Sequence, residues 1–253
     1  MSTSSPRPSR TGKNPIHAAG RSADDVHHSK EDAITPREYE RLLEGARELS
    51  RGGSYYDPDP ELVVGVLGRL GLRRGELVHL REEWIDWQRK MIQIPQHDRC
   101  DFGKGGDICG YCKQMATQRA DNAGDELSVE TALEWMWVPK TAASVREIYF
   151  GWCPRLELYL ERYFGSSAYT RYECSGTAIN RRVKKSARNV GLDAESLSPH
   201  PLRATAASFQ AARGLSPTAL TQMFGWESLE TAEVYITKNS GNTARELDSI
   251  HSF

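Results

Sequence analysis

Apolar positions in this chain recur mostly at helical spacing, interrupted by three short stretches that alternate every second residue. Ile34-Thr35-Pro36 followed by Arg37 to Leu43 reads as a capped helix start, with Thr35 at the N-cap, Pro36 at the first helical position and Glu38 three residues after the cap. A second helix is predicted over Pro60 to Leu70, closed by Gly71, and a third from Arg74 to Arg81. Met91 to Ile94 alternates as a strand. Trp135 to Val138 and Val145 to Tyr149 read as two more, joined by a turn over Pro139 to Ser144. Helical spacing then returns over Leu156 to Tyr163, Thr177 to Val190, Pro201 to Arg213, Pro217 to Phe224 and Glu230 to Ile236. Gly191, Gly214 and Gly225 act as stops, and Ser216-Pro217 as a start. The expected fold class is α+β, mostly α: helices around a small three-stranded antiparallel sheet. The first two strands are separated by an insertion over Gln96 to Glu134, too long for a plain hairpin loop.

Composition narrows this picture little. With 253 residues, 38% hydrophobic and 26% charged, the chain can bury a core as one large domain or two small ones, which excludes wholesale disorder and collagen-like or coiled-coil architecture. The longest uninterrupted apolar stretch, Leu62 to Gly68, is seven residues, against about 20 for a membrane span. The first thirty residues hold six Ser and three Pro but no apolar signal core, so residues 1–33 are expected to form a disordered tail and the protein to be cytoplasmic. The remaining 34–253 are expected to form one domain.

Charge becomes informative only locally. Against 33 basic and 34 acidic residues overall, the helical segment Arg181-Arg182-Val183-Lys184-Lys185-Ser186-Ala187-Arg188 carries five positive charges and no acid, either a solvated face or a surface for a phosphate backbone. His97, Cys100, Cys109 and Cys112 offer four soft or borderline ligands, with Asp98, Asp101 or Asp107 as substitutes for His97. Structural zinc, unliganded reduced thiols and a redox role all satisfy that pattern. Cys153 and Cys174 lie apart from it and read as packing residues.

His200-Pro201-Leu202-Arg203 places an imidazole and a guanidinium on one face at a helix start, followed 23 residues after Arg203 by Trp226 and nine later by Tyr235. Gly71-Leu72-Arg73-Arg74-Gly75-Glu76-Leu77 and Pro139-Lys140-Thr141-Ala142-Ala143-Ser144 complete the set. Together these resemble the signature of the tyrosine recombinases, or phage integrases, over residues 34 to 245. The resemblance implies a catalytic set of Arg73, Lys140, His200, Arg203, Trp226 and Tyr235, in which Tyr235 attacks a phosphodiester of double-stranded DNA to form a 3′-phosphotyrosyl link. Arg73 and Arg203 would then hold the non-bridging oxygens, Lys140 protonate the leaving 5′-oxygen, His200 manage the Tyr235 proton, and Trp226 support the phosphate and pack. No catalytic metal is implied.

The family also implies a homo-tetramer on DNA and a role in moving a mobile element, and the charge of the basic run makes Arg181, Arg182, Lys184, Lys185 and Arg188 the expected DNA contacts. A non-catalytic DNA-binding or regulatory relative, and relaxation of the type IB topoisomerase kind, are the alternatives. Relatives carry a separate helical core-binding domain ahead of the catalytic one, and no counterpart is evident here.

Overall fold

The computed structural model describes residues 29–51, 60–165, 169–236, 247, 248, 250 and 251. Most of the expected tail therefore lies outside the described residues. Its last part does not read as disorder: Ser29–Asp32 form a 3-10 turn, and the Ile34 N–H donates to Thr205 Oγ1 at 3.1 Å, seating the entry to the first helix on a later one.

Helix α1 (Pro36–Arg51) starts at the predicted box. The Thr35 N–H donates to Glu38 Oε2 at 2.8 Å and the Glu38 N–H returns to Thr35 Oγ1 at 3.2 Å, so two otherwise orphaned donors are satisfied. Tyr39, Leu42, Leu43 and Ala46 fall at i, i+3, i+4 and i+7 and are buried. Helix α2 (Pro60–Gly65) is buried all round and runs into a π-helical turn over Val66–Leu70. The Gly71 N–H reaches back five residues to Val66 O at 3.1 Å, and Gly71 closes the turn at φ 65°. Leu62, Leu67, Leu70 and Leu72 form the centre of the main core, each contributing about 1.5–3 kcal/mol by burial.

Helix α3 (Arg74–Val78) is only five residues. The sheet that follows is three-stranded and antiparallel as expected, but one strand differs. It comprises β1 (Ile85–Asp86), β2 (Met91–Ile94) and β3 (Arg146–Tyr149), with Ile92 opposite both Ile85 and Ile148. Trp135 to Val138 is not a strand of it. Met136 takes φ 53°, which breaks the extended run, and Met136 and Trp137 make only isolated bridges to Asp98. The alternating apolar pattern there reflects packing: Trp137 is 1% exposed against Trp84. The insertion is structured too, as α4 (Gly110–Ala123) and α5 (Val129–Glu134).

Helices α6 (Pro154–Phe164), α7 (Gly176–Asn189), α8 (Pro199–Ala212), α9 (Pro217–Phe224) and α10 (Leu229–Glu233) follow the predicted order. Helices α1 and α7 meet where Gly45 lies against the Ser186 carbonyl, a separation with no room for a Cβ. A second, smaller core joins α8, α9 and α10, where Leu220 and Phe224 pack against Ala204, Ala207, Ala211 and Ala232, alanines small enough to bring these helices close. Among the described residues no helix is long and apolar enough to cross a membrane.

Candidate active site

The start of α3, the loop of Lys140, α8 and the segment from the end of α9 into α10 converge on an open cleft of about 800 Å³. Arg73, Arg74, Lys140 and Arg203 line it, opposed by the single acid Glu227, with His200 and Trp226 also in the wall. Five of the six residues of the expected catalytic set therefore share one cavity, drawn from positions 73 to 226. Its charge suits an anion with several oxygens.

Each arginine is held by backbone carbonyls that the helix ends leave free. Arg203 is 8% exposed and donates through Nη1 to Gly71 O and through Nη2 to Phe224 O. Arg73 donates to Gly225 O at 2.8 Å and to Glu76 Oε1 at 2.9 Å. Gly225 ends α9 at φ 58°, where its own Cβ would lie 2.7 Å from Ala143 O, so glycine is required for this close approach to the Lys140 loop. Burial, reinforced by the like charge of Arg73, pushes the Arg203 guanidinium down to about 9, which leaves it charged at neutral pH.

Glu76 and Arg146 carry roles that no motif spacing assigned. Glu76 is 2% exposed beneath Arg73, and Arg146 meets it fork to fork at 2.8 and 3.0 Å. Arg146 reaches inward because it shares the inner face of β3 with Ile148. It also donates to Ser144 O at 2.7 Å and Met223 O at 2.8 Å, tying the Lys140 loop to α9. A sequence signal existed: Glu76 sits three residues after Arg73 at a helix start, the capping-box spacing, and its carboxylate accepts the Arg73 N–H at 2.8 Å.

Burial alone would raise the Glu76 carboxyl, but Arg146, with Arg203 and Arg73, outweighs it and holds the group down to about 2. A depressed carboxylate adds stability above its unfolded value of 4.5 and loses it as pH falls through the folded value. About 3 kcal/mol should therefore disappear between pH 4.5 and about 2. Glu76→Gln should flatten that part of a thermal-stability profile while destabilising the neutral protein by about 3–5 kcal/mol, because two buried guanidinia lose their anion. An unaltered acid limb in the variant would assign acid sensitivity elsewhere.

Lys140 is exposed on the loop before β3, and not in a hairpin turn as expected, because the partner of β3 is β2. His200 lies in the first turn of α8 with its side chain 67% exposed and Nε2 3.9 Å from Asp32. Tyr235 differs from the other five. It is 5% exposed, is not among the described residues lining the cleft, and stacks on Trp226 at 5.1 Å between centroids; Trp226 in turn stacks on Phe224. The tyrosine thus stands one aromatic ring away from the cavity.

The basic run is a helix, but its charges do not form one free stripe. Arg182 is 7% exposed and donates to Cys174 Sγ at 3.1 Å, since it shares the inward face of α7 with Ile179, Val183 and Ser186. Lys184 and Arg188 both pair with Glu195, at 2.5 and 2.9 Å, an acid beyond the run itself. Arg181 and Lys185 are surface-exposed, one turn apart, and Asn180 of the same helix lines the cleft.

The candidate metal ligands are regrouped. Cys100, Cys109 and Cys112 come together as expected, but His97 is exposed and the fourth member is His79, at the end of α3. These four could hold a metal ion: their ligand atoms lie within 4.8 Å of one another. No ligand spacing in the sequence points to His79, which lies 21 residues ahead of Cys100, inside the segment of the first arginine.

Comparison with known proteins matches residues 32–241 to the model of the phage integrase family. Among solved structures, the XerA recombinase superposes with a TM-score of 0.50 at 19% identity, covering 87% of this chain and 65% of that one. The Tn1549 transposon integrase in complex with circular intermediate DNA gives 0.56 at 18% identity, covering 90% and 69%. The XerH site-specific recombinase bound to its difH substrate gives 0.50 at 14%, covering 85% and 53%. At these identities the likeness is one of fold, and the chain spans about two thirds or less of these relatives. No curated protein sequence matches.

Proposed function

The chain belongs to the phage integrase family, and from this premise we propose that it cleaves and rejoins double-stranded DNA at specific sites through a 3′-phosphotyrosyl intermediate. The observation that carries the reading is the cleft in which Arg73, Lys140, His200 and Arg203 converge beside the Trp226–Tyr235 stack. In the first step the Tyr235 hydroxyl oxygen bonds to phosphorus, the bond to the 5′-oxygen breaks, and that oxygen leaves as a hydroxyl. Rejoining is the reverse, so the phosphotyrosyl bond conserves the linkage and no nucleotide cofactor is consumed.

Negative charge accumulates on the non-bridging oxygens in the transition state. Arg73 and Arg203 each spend two donors on the protein and keep the rest for those oxygens. Lys140, exposed on its loop, supplies the proton to the 5′-oxygen, and His200 takes the one Tyr235 releases. Trp226 has only its indole N–H to donate, so it supports the phosphate and holds the tyrosine ring. Attack requires Tyr235 to leave that stack and enter the cleft. Cleavage and rejoining by a homo-tetramer, the expected assembly, places four such sites on two duplexes.

Incubation with a nicked duplex that loses its 5′-end after cleavage should trap a covalent protein–DNA adduct. Absence of an adduct on any duplex, with binding retained, would favour a regulatory DNA-binding relative, a reading that the burial of Tyr235 keeps in play. Relaxation of a supercoiled plasmid regardless of its sequence would favour topoisomerase-like activity.

Duplex contact is proposed to extend from the cleft along α7 through Arg181 and Lys185. Arg181→Glu should weaken binding and lower the slope of log affinity against log salt by roughly 1. Reversing Arg188 should do less, because Glu195 already neutralises it. Equal losses from both variants would remove α7 as a directed contact.

A further inference from the structure

We propose that His79, Cys100, Cys109 and Cys112 bind one structural zinc ion, which braces α3 and the wall of the cleft that carries Arg73. His79 Nε2 lies 3.3 Å from Cys112 Sγ, 3.6 Å from Cys100 Sγ and 3.7 Å from Cys109 Sγ. A tetrahedral zinc with bonds of about 2.3 Å to sulfur and about 2.0 Å to nitrogen sets its ligands apart by about 3.5 Å for nitrogen to sulfur and about 3.8 Å for sulfur to sulfur. The nitrogen-to-sulfur separations match those of such an ion, and all four ligand atoms lie within 4.8 Å of one another.

The imidazole is prepared for it. His79 Nδ1 lies 2.8 Å from Gly75 O, and a carbonyl can only accept, so the proton sits on Nδ1 and the Nε2 lone pair faces the three sulfurs. Backbone donors address the sulfurs as well: the Cys109 N–H points to Cys100 Sγ and the Cys112 N–H to Cys109 Sγ, each at 3.4 Å, which favours thiolates. Trp137 stacks on the His79 ring at 5.5 Å and Phe102 meets its edge at 5.3 Å, shielding the site from water. Three thiolates and one imidazole select zinc over hard cations, and four protein ligands leave no open position, so the site is structural and not catalytic.

Placement gives the ion its role. A five-residue helix cannot persist by its own hydrogen bonds, so α3 depends on what holds its two ends. Glu76 and Arg146 hold the end that bears Arg73, and His79 is its C-cap. Between two ligands, Tyr111 projects over α3, so that a Cβ on Gly75 would lie 3.0 Å from its hydroxyl, and Tyr111, Arg74 and Gly75 line the cleft together. The ion would join insertion, helix and cleft wall into one unit. That role rests on the proposed function, whereas binding of the metal does not.

Metal analysis of the full chain, purified without chelator from zinc-replete cells, should give about one zinc per chain, and less than about a tenth of an equivalent would overturn the proposal. Cobalt exchanged into the wild-type protein should show the thiolate charge-transfer and visible bands of a tetrahedral site; an octahedral spectrum would overturn it as well. His79→Gln and Cys112→Ser should lose the metal, whereas His97→Ala should keep it, and the reverse pattern would refute the ligand set. Should the first two fail to fold, stripping zinc from the wild type should lower its melting temperature, with recovery by zinc and not by magnesium. Because these readouts need no DNA, their failure and failure to form the DNA adduct are distinguishable.

Discussion

Tyr235→Phe should abolish the covalent protein–DNA adduct while leaving duplex binding intact. The substitution keeps the ring and its stack on Trp226, so the small core of α8, α9 and α10 retains its packing. It removes only the oxygen that would bond to phosphorus. Tyr111 also brings a phenol to the described cleft, and its Phe variant, which should keep the adduct, is the control. The loss expected on removing a covalent nucleophile is of order 10⁴-fold or more, beyond the reach of a gel assay. Electrophoresis of the denatured protein on labelled duplex measures it directly. An adduct persisting in the Phe variant would move the nucleophile elsewhere in the chain, whereas loss of both binding and adduct would mean that the aromatic stack had failed.

Arg203→Lys should lower the rate of adduct formation about 100- to 1,000-fold, the scale of deleting one preorganised donor to a developing oxyanion. Arg203 bridges Gly71 O and Phe224 O and still has donors to spare for a phosphate. A lysine ammonium keeps the charge but cannot span two carbonyls and present a fork to two phosphate oxygens. The same change loosens the junction of the π turn with α9, so some thermal stability should go too. Rates are therefore compared at a temperature where both proteins are folded, and Arg73→Lys provides a second variant whose side chain is more exposed. Binding at fixed salt should change far less than cleavage. Cleavage by Arg203→Lys at the wild-type rate would reduce Arg203 to a structural clamp.

Much of the architecture is legible in the sequence. Thr35, Pro36 and Glu38 located α1, and Gly71, Gly191, Gly214 and Gly225 all take positive φ at the turns they were expected to make. These are local effects, decided within a turn of helix, and so they survive without knowledge of the partner elements. The strand at Trp135 to Val138 failed for the opposite reason. Its alternation came from aromatic burial against Trp84 and His79, which are distant in sequence. The inward turn of Arg182 could have been read from its helical phase with Ile179, Val183 and Ser186, since three- and four-residue spacing fixes a face.

The sequence by itself determined the order of most helices and three of the four members of the metal-ligand cluster, because capping, periodicity and short spacings are properties of neighbouring residues, while the family resemblance named five residues that the structure brings to one cleft. Only the tertiary structure decided which cations face solvent and which are spent on Glu76, Glu195 or Cys174, that Tyr235 rests behind Trp226, and that His79 replaces His97. A charge, a buried ring or a ligand is defined by what stands within a few ångströms of it, and here those partners come from distant parts of the chain.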